Sequence, residues 1–359
     1  MSEQQPAVPE QGKVGTQAMS AGLEAPGSQP PGGKQGLWTR LSSGTGLRRN
    51  LGLVVALLLL CGVGALTAGD RFVDANNALT IMRAAAVIGV VSIGATFVIT
   101  AGGIDLSVGS VLGLATVWAS TLATQAMAEQ YHWIIMVFAA VAVGTVAGIV
   151  NGVIIAYGKV VSFIATLAML IAARGLAEVI SSRRTQVVNN QDFQSFFDGS
   201  FLGLPTIVWM FLVVAAIAWV VFNRTTFGRR TIAVGGNAEA ARLAGIKIKR
   251  HLVYVFALCG LTAGIAGVMM LGRTGAGSST NGLLYELEAI AAVVVGGTLL
   301  IGGRGTIVGT VLGVLIFATL TNIFVLNNLS TSVQSLVKGA IIVLAVILQQ
   351  RFAARAKST

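Results

Sequence analysis

The residues best placed to do chemistry lie in Ile99-Thr-Ala-Gly-Gly-Ile-Asp-Leu-Ser-Val-Gly-Ser110, where two glycines and an aspartate interrupt a long apolar stretch. An ionisable side chain at membrane depth is costly and faces protein or a water-filled cavity. Gly102 and Gly103 can supply irregular backbone there, and Asp105 or Ser107 can cap the following helix by accepting its free N–H groups. Three roles are open to this segment: a structural cap, a contact with a passing solute or gate, and a proton relay. The last lacks a second acid nearby in sequence.

Arg83, Arg174, Glu178, Glu286, Glu288 and Lys338 also fall within or at the ends of apolar runs. Arg174 and Glu178 are four apart and can pair on one helix face. Glu286 and Glu288 lie near the outer end of their run, where snorkelling is cheap. So few buried charges suit a neutral polar solute better than a multivalent ion. Sets that would support enzyme chemistry do not converge. Gly152-Val-Ile-Ile-Ala-Tyr-Gly-Lys-Val160 has one residue too many for a phosphate-binding loop and lacks the Ser or Thr after Lys159. His132 and His251 fall on opposite sides of the membrane and cannot share a metal, and Cys61 and Cys259 read as packing residues.

The elements that must position these residues follow from composition. Of 359 residues, 55% are hydrophobic and only 10% charged, against about a quarter charged in soluble proteins. The apolar runs are continuous over about 20 residues, which excludes a β-barrel of alternating strands. The expected fold is an all-α polytopic membrane protein with about ten transmembrane helices, at 51–68, 79–100, 107–127, 133–156, 161–180, 206–222, 251–272, 285–301, 306–326 and 333–350. Residues 1–36 hold five of the six prolines and no apolar run, the composition of a disordered tail, here expected to be cytoplasmic and uncleaved. The transmembrane domain then spans 37–359.

The net charge of +11 reads as topology rather than as affinity for nucleic acid. Threaded with both termini inside, the path places fifteen Lys and Arg on the inner face and four, Arg71, Arg183, Arg184 and Arg273, outside, as the positive-inside rule requires. Two hydrophilic excursions remain: 182–205 outside, with Phe193, Phe196 and Phe197, and 223–250 inside.

Within the inner loop Asn237 is a good N-cap, Ala238 to Ala244 are mostly strong helix formers and Gly245 suits the C′ position. A helix of two turns does not hold alone in water, so it docks on its own bundle or on another protein. Small residues recur at four-residue spacing, as in Gly109/Gly113 and Gly309/Gly313, which brings helix backbones close. These pairs belong to a repeat at an offset of 200: Gly102, Gly103, Gly109 and Gly113 recur as Gly302, Gly303, Gly309 and Gly313. Such a repeat would be parallel.

The chain resembles the ribose-type family of ABC importer permeases over nearly everything after residue 50. The likeness rests on Ala101-Gly-Gly-Ile-Asp-Leu-Ser-Val-Gly-Ser110, Phe163-Ile-Ala-Thr-Leu167 with Arg174-Gly175, Ala233-Val-Gly-Gly-Asn237 with Ala240-Ala241 and Gly245-Ile246, and Glu288 to Gly297 followed by Leu300-Ile-Gly-Gly-Arg-Gly-Thr306. The tail is longer than the family usually shows.

The resemblance implies a multi-pass subunit of the bacterial inner membrane, paired in lipid with a second copy or a sister permease. A cytoplasmic ABC ATPase would hold ATP and magnesium, and an extracytoplasmic binding protein would deliver a monosaccharide; no cofactor would sit on this chain. It implies an ATPase-coupling site at Gly236, Asn237, Glu239, Ala240, Ala241 and Gly245, and a translocation path or gate at Gly102, Gly103, Asp105 and Ser107. Other readings are an ion- or proton-coupled carrier, for which Asp105 alone offers itself, and a permease of this fold for a nucleoside or amino acid.

Overall fold

The computed structural model describes residues 45–355, so the tail expected over 1–36 lies outside the described residues. The described chain is mostly helical. In order it runs α1 (Thr45–Ala68), α2 (Asp70–Val73), α3 (Ala75–Thr100), α4 (Val108–Ala119), α5 (Leu122–Gln130), α6 (Ile134–Ala156) and α7 (Ser162–Ser181). An irregular section follows with β1 (Gln186–Val187), α8 (Gln191–Asp198), β2 (Ser200–Phe201) and β3 (Leu204–Pro205). The second half holds α9 (Thr206–Arg224), α10 (Thr226–Gly236), α11 (Ala238–Leu243), α12 (Ile248–Thr274), β4 (Ala276–Gly277), α13 (Tyr285–Val295), α14 (Ile307–Leu326) and α15 (Thr331–Arg355).

Seven of these helices are long and apolar enough to cross a membrane, and α4 with α5 makes an eighth candidate bent by 56°. The expected spans at 107–127 and 285–301 are therefore not straight rods. The first breaks because Ser120 turns its hydroxyl back onto the Thr116 carbonyl at 2.9 Å, while Thr121 caps a new helix by accepting from Thr124 N. The second is helical only as α13, whose 11 residues rise about 16 Å, roughly half the hydrocarbon thickness.

Burial sorts the helices. In α3 every residue from Ala85 to Thr100 is buried, and α12 is buried over most of its length. On α1 the side chains of Leu51, Leu58, Leu59 and Leu66 are exposed, as a lipid-facing helix requires. Lipid tails are as apolar as leucine, so close backbone packing and interhelical hydrogen bonds must hold such a bundle together. The α6–α12 seam supplies the first: a Cβ added to Gly148 would lie 2.9 Å from the Gly260 Cα, so only glycine lets these backbones meet. The second appears where Thr96 and Thr310 share a buried hydrogen bond of 2.7 Å, and where the Asn77 and Asn322 amides exchange bonds of 3.1 and 2.7 Å.

The excursion over 182–205 is more ordered than a plain loop. β1 pairs antiparallel with β4 in the register Gln186↔Gly277 and Val187↔Ala276, and β2 and β3 form a tight hairpin. Helix α8 is amphipathic: Phe193 and Phe197 are buried, and Trp133 stacks on Phe196 with ring centroids 4.9 Å apart.

Candidate functional site

Three stretches of irregular backbone converge on one point. The first ends α3. Gly102 adopts φ +85°, Gly103 N donates to Val98 O and Gly102 N to Ile99 O, both at 3.0 Å, which closes the helix in a Schellman turn. The chain then runs without helix to Val108. Ser162 accepts from Ile104 N at 3.2 Å and Thr166 donates to Ile104 O at 3.2 Å, so the start of α7 holds this strand-like segment by its backbone. Asp105 is buried and accepts from both Ser107 N, at 2.9 Å, and the Ser107 hydroxyl, at 2.6 Å. Asn151 on α6 donates to the Ser107 oxygen at 2.9 Å. Neither Asp105 nor Ser107 caps α4 as the sequence suggests: Ser107 holds the N-cap position without a side-chain bond to the helix, and Asp105 accepts only from Ser107, ahead of the first turn.

The second stretch joins α13 to α14. Gly297, Gly302 and Gly303 take φ of +88°, +89° and +75°, and Thr306 caps α14 by accepting from Gly309 N. Gly303 N donates to Thr100 O at 2.9 Å, tying this break to the end of α3. The third is the end of α10. A Cβ on Gly235 would run into the Thr100 carbonyl and come within 2.8 Å of Gly303 N; one on Gly303 would lie 2.8 Å from the Gly236 Cα. Backbones meet here because no side chain stands between them.

Beyond Gly236 the chain enters α11. The Asn237 side chain accepts from Ala240 N at 2.9 Å, and Gly245, at φ +82°, ends the helix with Ile246 N donating to Ala241 O. Only Ala241 of this helix is buried; Leu243 is 76% exposed. Glu239 and Arg242 form an exposed ion pair, which holds the Glu239 carboxyl below the usual carboxylate range and raises Arg242. Beside α11 a cavity of about 370 Å³ is lined by Tyr157, Arg242, Lys247, Lys249 and Arg250, with Lys249 over the Tyr157 ring. This arrangement presents a short helix and a basic surface, joined by glycine to two helix breaks.

Residues 77–346 match the family model described as branched-chain amino acid transport system / permease component. The chain belongs to that family. Among curated proteins, this permease is 39% identical over 302 residues to the ribose import permease protein RbsC of Escherichia coli strain K12, covering 83% of this chain and 92% of that one. It is 40% identical to the Bacillus subtilis ribose import permease protein RbsC over 85% of this chain and 94% of that one. The L-arabinose ABC transporter permease protein AraH of Azospirillum brasilense is 36% identical, over 83% and 87% of the two chains. No solved structure matches the chain.

In the permease the two groups of residues singled out from sequence adjoin at Gly102 and Gly235, where a Cβ added to Gly102 would lie 3.8 Å from the Gly235 Cα. Across the break, Ser107 lies against Asn151 of α6 and Asp105 beside Cys259 of α12. Sequence reasoning missed Asn151 and Ser162, and held Thr100 and Gly235 only as members of longer motifs, without a role. A lone asparagine inside the apolar run of α6 was the available signal for Asn151; Gly302 and Gly303 stood in the repeat at offset 200, without an indication that the two copies touch.

Residues 276–286 run the length of α4, from Gly277 beside Ser120 to Glu286 beside Gly109. Arg174 donates to the carbonyls of Ser279 and Asn281, the latter at 3.0 Å, and Gly109 and Gly113 give room for Glu286, Gly282 and Asn281. Arg174 therefore does not bond Glu178, which pairs with Arg183 at 3.1 Å. A cation four residues from an acid found two carbonyls that needed a donor more. Glu288 pairs with Lys338 at 2.7 Å, an interfacial pairing of the kind the sequence suggests, whereas Glu286 is buried rather than snorkelling.

Proposed function

We propose that this permease is the membrane subunit of an ATP-driven importer that carries a monosaccharide, a pentose such as ribose or arabinose. The observation that carries the substrate class is the 36 to 40% identity, over more than four-fifths of the chain, to permeases named for ribose and L-arabinose. The subunit is a multi-pass protein of the bacterial plasma membrane and has no catalytic role of its own; ATP and magnesium belong to a separate ATPase.

In this reading residues 37–359 form the transmembrane domain, and ten membrane segments, two of them broken, put both termini in the cytoplasm. Two clusterings support the path. The glycine breaks and α11, all threaded to the inner face, meet at one point, while 182–205 and 273–284, threaded outside, pair through β1 and β4. A second permease copy or a sister permease completes the pathway in the bilayer, and a sugar-binding protein docks outside.

Coupling runs through backbone. The surface of α11 from Gly236 to Gly245, with Asn237, Glu239, Ala240 and Ala241, seats in the ATPase. Movement of α11 pulls on Gly235 and Gly236, which press on Thr100 and Gly303 at the ends of α3 and the α13–α14 break. Packed interfaces switch between discrete arrangements rather than deforming continuously. Gly102 and Gly103 act as the gate's hinge, and Asp105 with Ser107 holds the start of α4 through either state.

Co-purification from the native host in mild detergent tests this. Recovery of an ABC ATPase and a sugar-binding protein, identified by mass spectrometry, is the expected result. A homo-oligomer without ATPase, under conditions that preserve other complexes, would overturn it. A second reading, an amino-acid solute, is favoured by the description of the family model; a ligand panel on the recovered binding protein separates the two.

A further inference from the structure

A cavity of about 260 Å³ lies between α3, the end of α12, α13 and α14, in the half of the bundle threaded to the outside. Its walls combine residue types that apolar helix packing does not call for. Phe317 and Thr321, four apart on α14, share one face, as do Tyr285 and Glu288, three apart on α13. Phe317 is buried and Arg273, at the end of α12, is exposed, so the space runs from an accessible rim to an aromatic floor.

The polar groups here keep unused capacity. The Arg273 guanidinium and the Tyr285 hydroxyl have no hydrogen-bond partner among the described residues. One Glu288 oxygen is held by Lys338 at 2.7 Å, which leaves the other to accept. Tyr285 is half-buried and so keeps its hydroxyl available to a solute, and charged groups in a membrane domain mark a water-filled path. The geometry points to a transit site for a monosaccharide: Arg273, Tyr285 and Glu288 exchange hydrogen bonds with ring hydroxyls while the C–H face of the ring lies on Phe317.

Size and hydrogen-bonding capacity narrow the occupant. The volume is slightly below the roughly 300 to 1,000 Å³ of pockets for drug-sized ligands, which suits one sugar ring. The hydroxyls of a neutral polyhydroxyl solute use donors and acceptors alike, and Arg273, Tyr285 and Glu288 offer both. The site rests on the sugar-import reading and adds to it where within this chain the sugar is handled.

The test reconstitutes the complete complex, permease with its ATPase and binding protein, in proteoliposomes and measures radiolabelled D-ribose and L-arabinose taken up per ATP hydrolysed. Tyr285→Phe removes only a hydroxyl and Phe317→Leu only the flat face. Each is expected to lower sugar per ATP about three- to tenfold, the worth of one or two polar contacts, while stimulated ATP hydrolysis stays near wild type. Unchanged sugar per ATP in both variants overturns the site and leaves the importer reading standing. Uptake of leucine that falls in the same variants overturns it in favour of an amino acid. A wild-type complex that hydrolyses ATP but imports neither sugar overturns the function and the site with it. Should Phe317→Leu fail to assemble, the near-isosteric Tyr285→Phe still decides.

Discussion

The amide of Gly303 donates to the carbonyl of Thr100 across 2.9 Å, joining two helix breaks that lie about 200 residues apart in sequence. With Gly235 wedged against the same carbonyl, one oxygen at the end of α3 becomes the point at which the inner loop can act on both halves of the bundle. The predictions below follow from that joint and from the clamps that surround it.

Gly235→Ala places a methyl group where the Thr100 carbonyl and Gly303 amide stand, and backbone gives way less readily than a side chain. Overpacking of this kind costs about 1 to 3 kcal/mol, and ATP-driven uptake should fall at least about tenfold because the joint is forced apart. Gly175→Ala on α7 is the matched control: nothing lies within 4 Å of the added carbon and the backbone there is ordinary helix. It should transport as wild type and melt no lower. Equal behaviour of the two variants in uptake and detergent melting would remove the joint from the mechanism.

Charge reversal at Glu239, or Gly at Ala240 and Ala241 together, should abolish ATP-coupled uptake while the protein still inserts. Exposed ion pairs such as Glu239–Arg242 contribute little to stability, so loss of activity in a folded Glu239→Arg variant reports a lost contact with the ATPase. The pair lowers the Glu239 carboxyl, so its contribution is complete above the ordinary carboxylate value of about 4.3 and disappears only as pH falls through the lowered one. ATPase stimulation by the binding protein should accordingly show no Glu239-dependent step between about pH 6 and 8 in a wild-type versus Glu239→Gln comparison.

Much of this was legible in the sequence, for identifiable reasons. Long apolar runs locate seven to eight candidate membrane segments among the described residues because bilayer thickness acts on composition. The α11 helix was readable to within one residue, since Asn237 and Gly245 punctuate it by local backbone chemistry alone. Partner choice was not readable. Arg174 was equidistant in principle from Glu178 and from any carbonyl brought near by folding, and the carbonyls of Ser279 and Asn281, a hundred residues away, prevailed. The half-length of α13 was hidden for a related reason: residues 285–301 are apolar throughout much of their length, and hydropathy does not report where glycine backbone leaves the helix.

Asp105→Ala should lower thermal stability in detergent by about 1 to 3 kcal/mol, because it removes the buried acceptor of two hydrogen bonds from Ser107 and frees the Asn151–Ser107 contact to drift. Ser107→Ala keeps the backbone bond to Asp105 and should cost less, about 1 kcal/mol. Reversal of that order would mean that Asn151, rather than Asp105, organises the break.

Arg174→Lys separates a clamp from a charge. The guanidinium reaches two carbonyls on residues 279 and 281, whereas an ammonium is a point charge on a flexible stem and lacks the planar fork. Residues 276–286 should then loosen along α4, and their amides should exchange with solvent at least about tenfold faster by mass spectrometry, a difference of roughly 1.4 kcal/mol in local opening. Glu178→Gln should leave that exchange unchanged, since Glu178 bonds Arg183 on an exposed surface. If Glu178→Gln loosened the segment as much as Arg174→Lys, the acid four residues along would be the true anchor of Arg174, and the carbonyl clamp would be incidental to it.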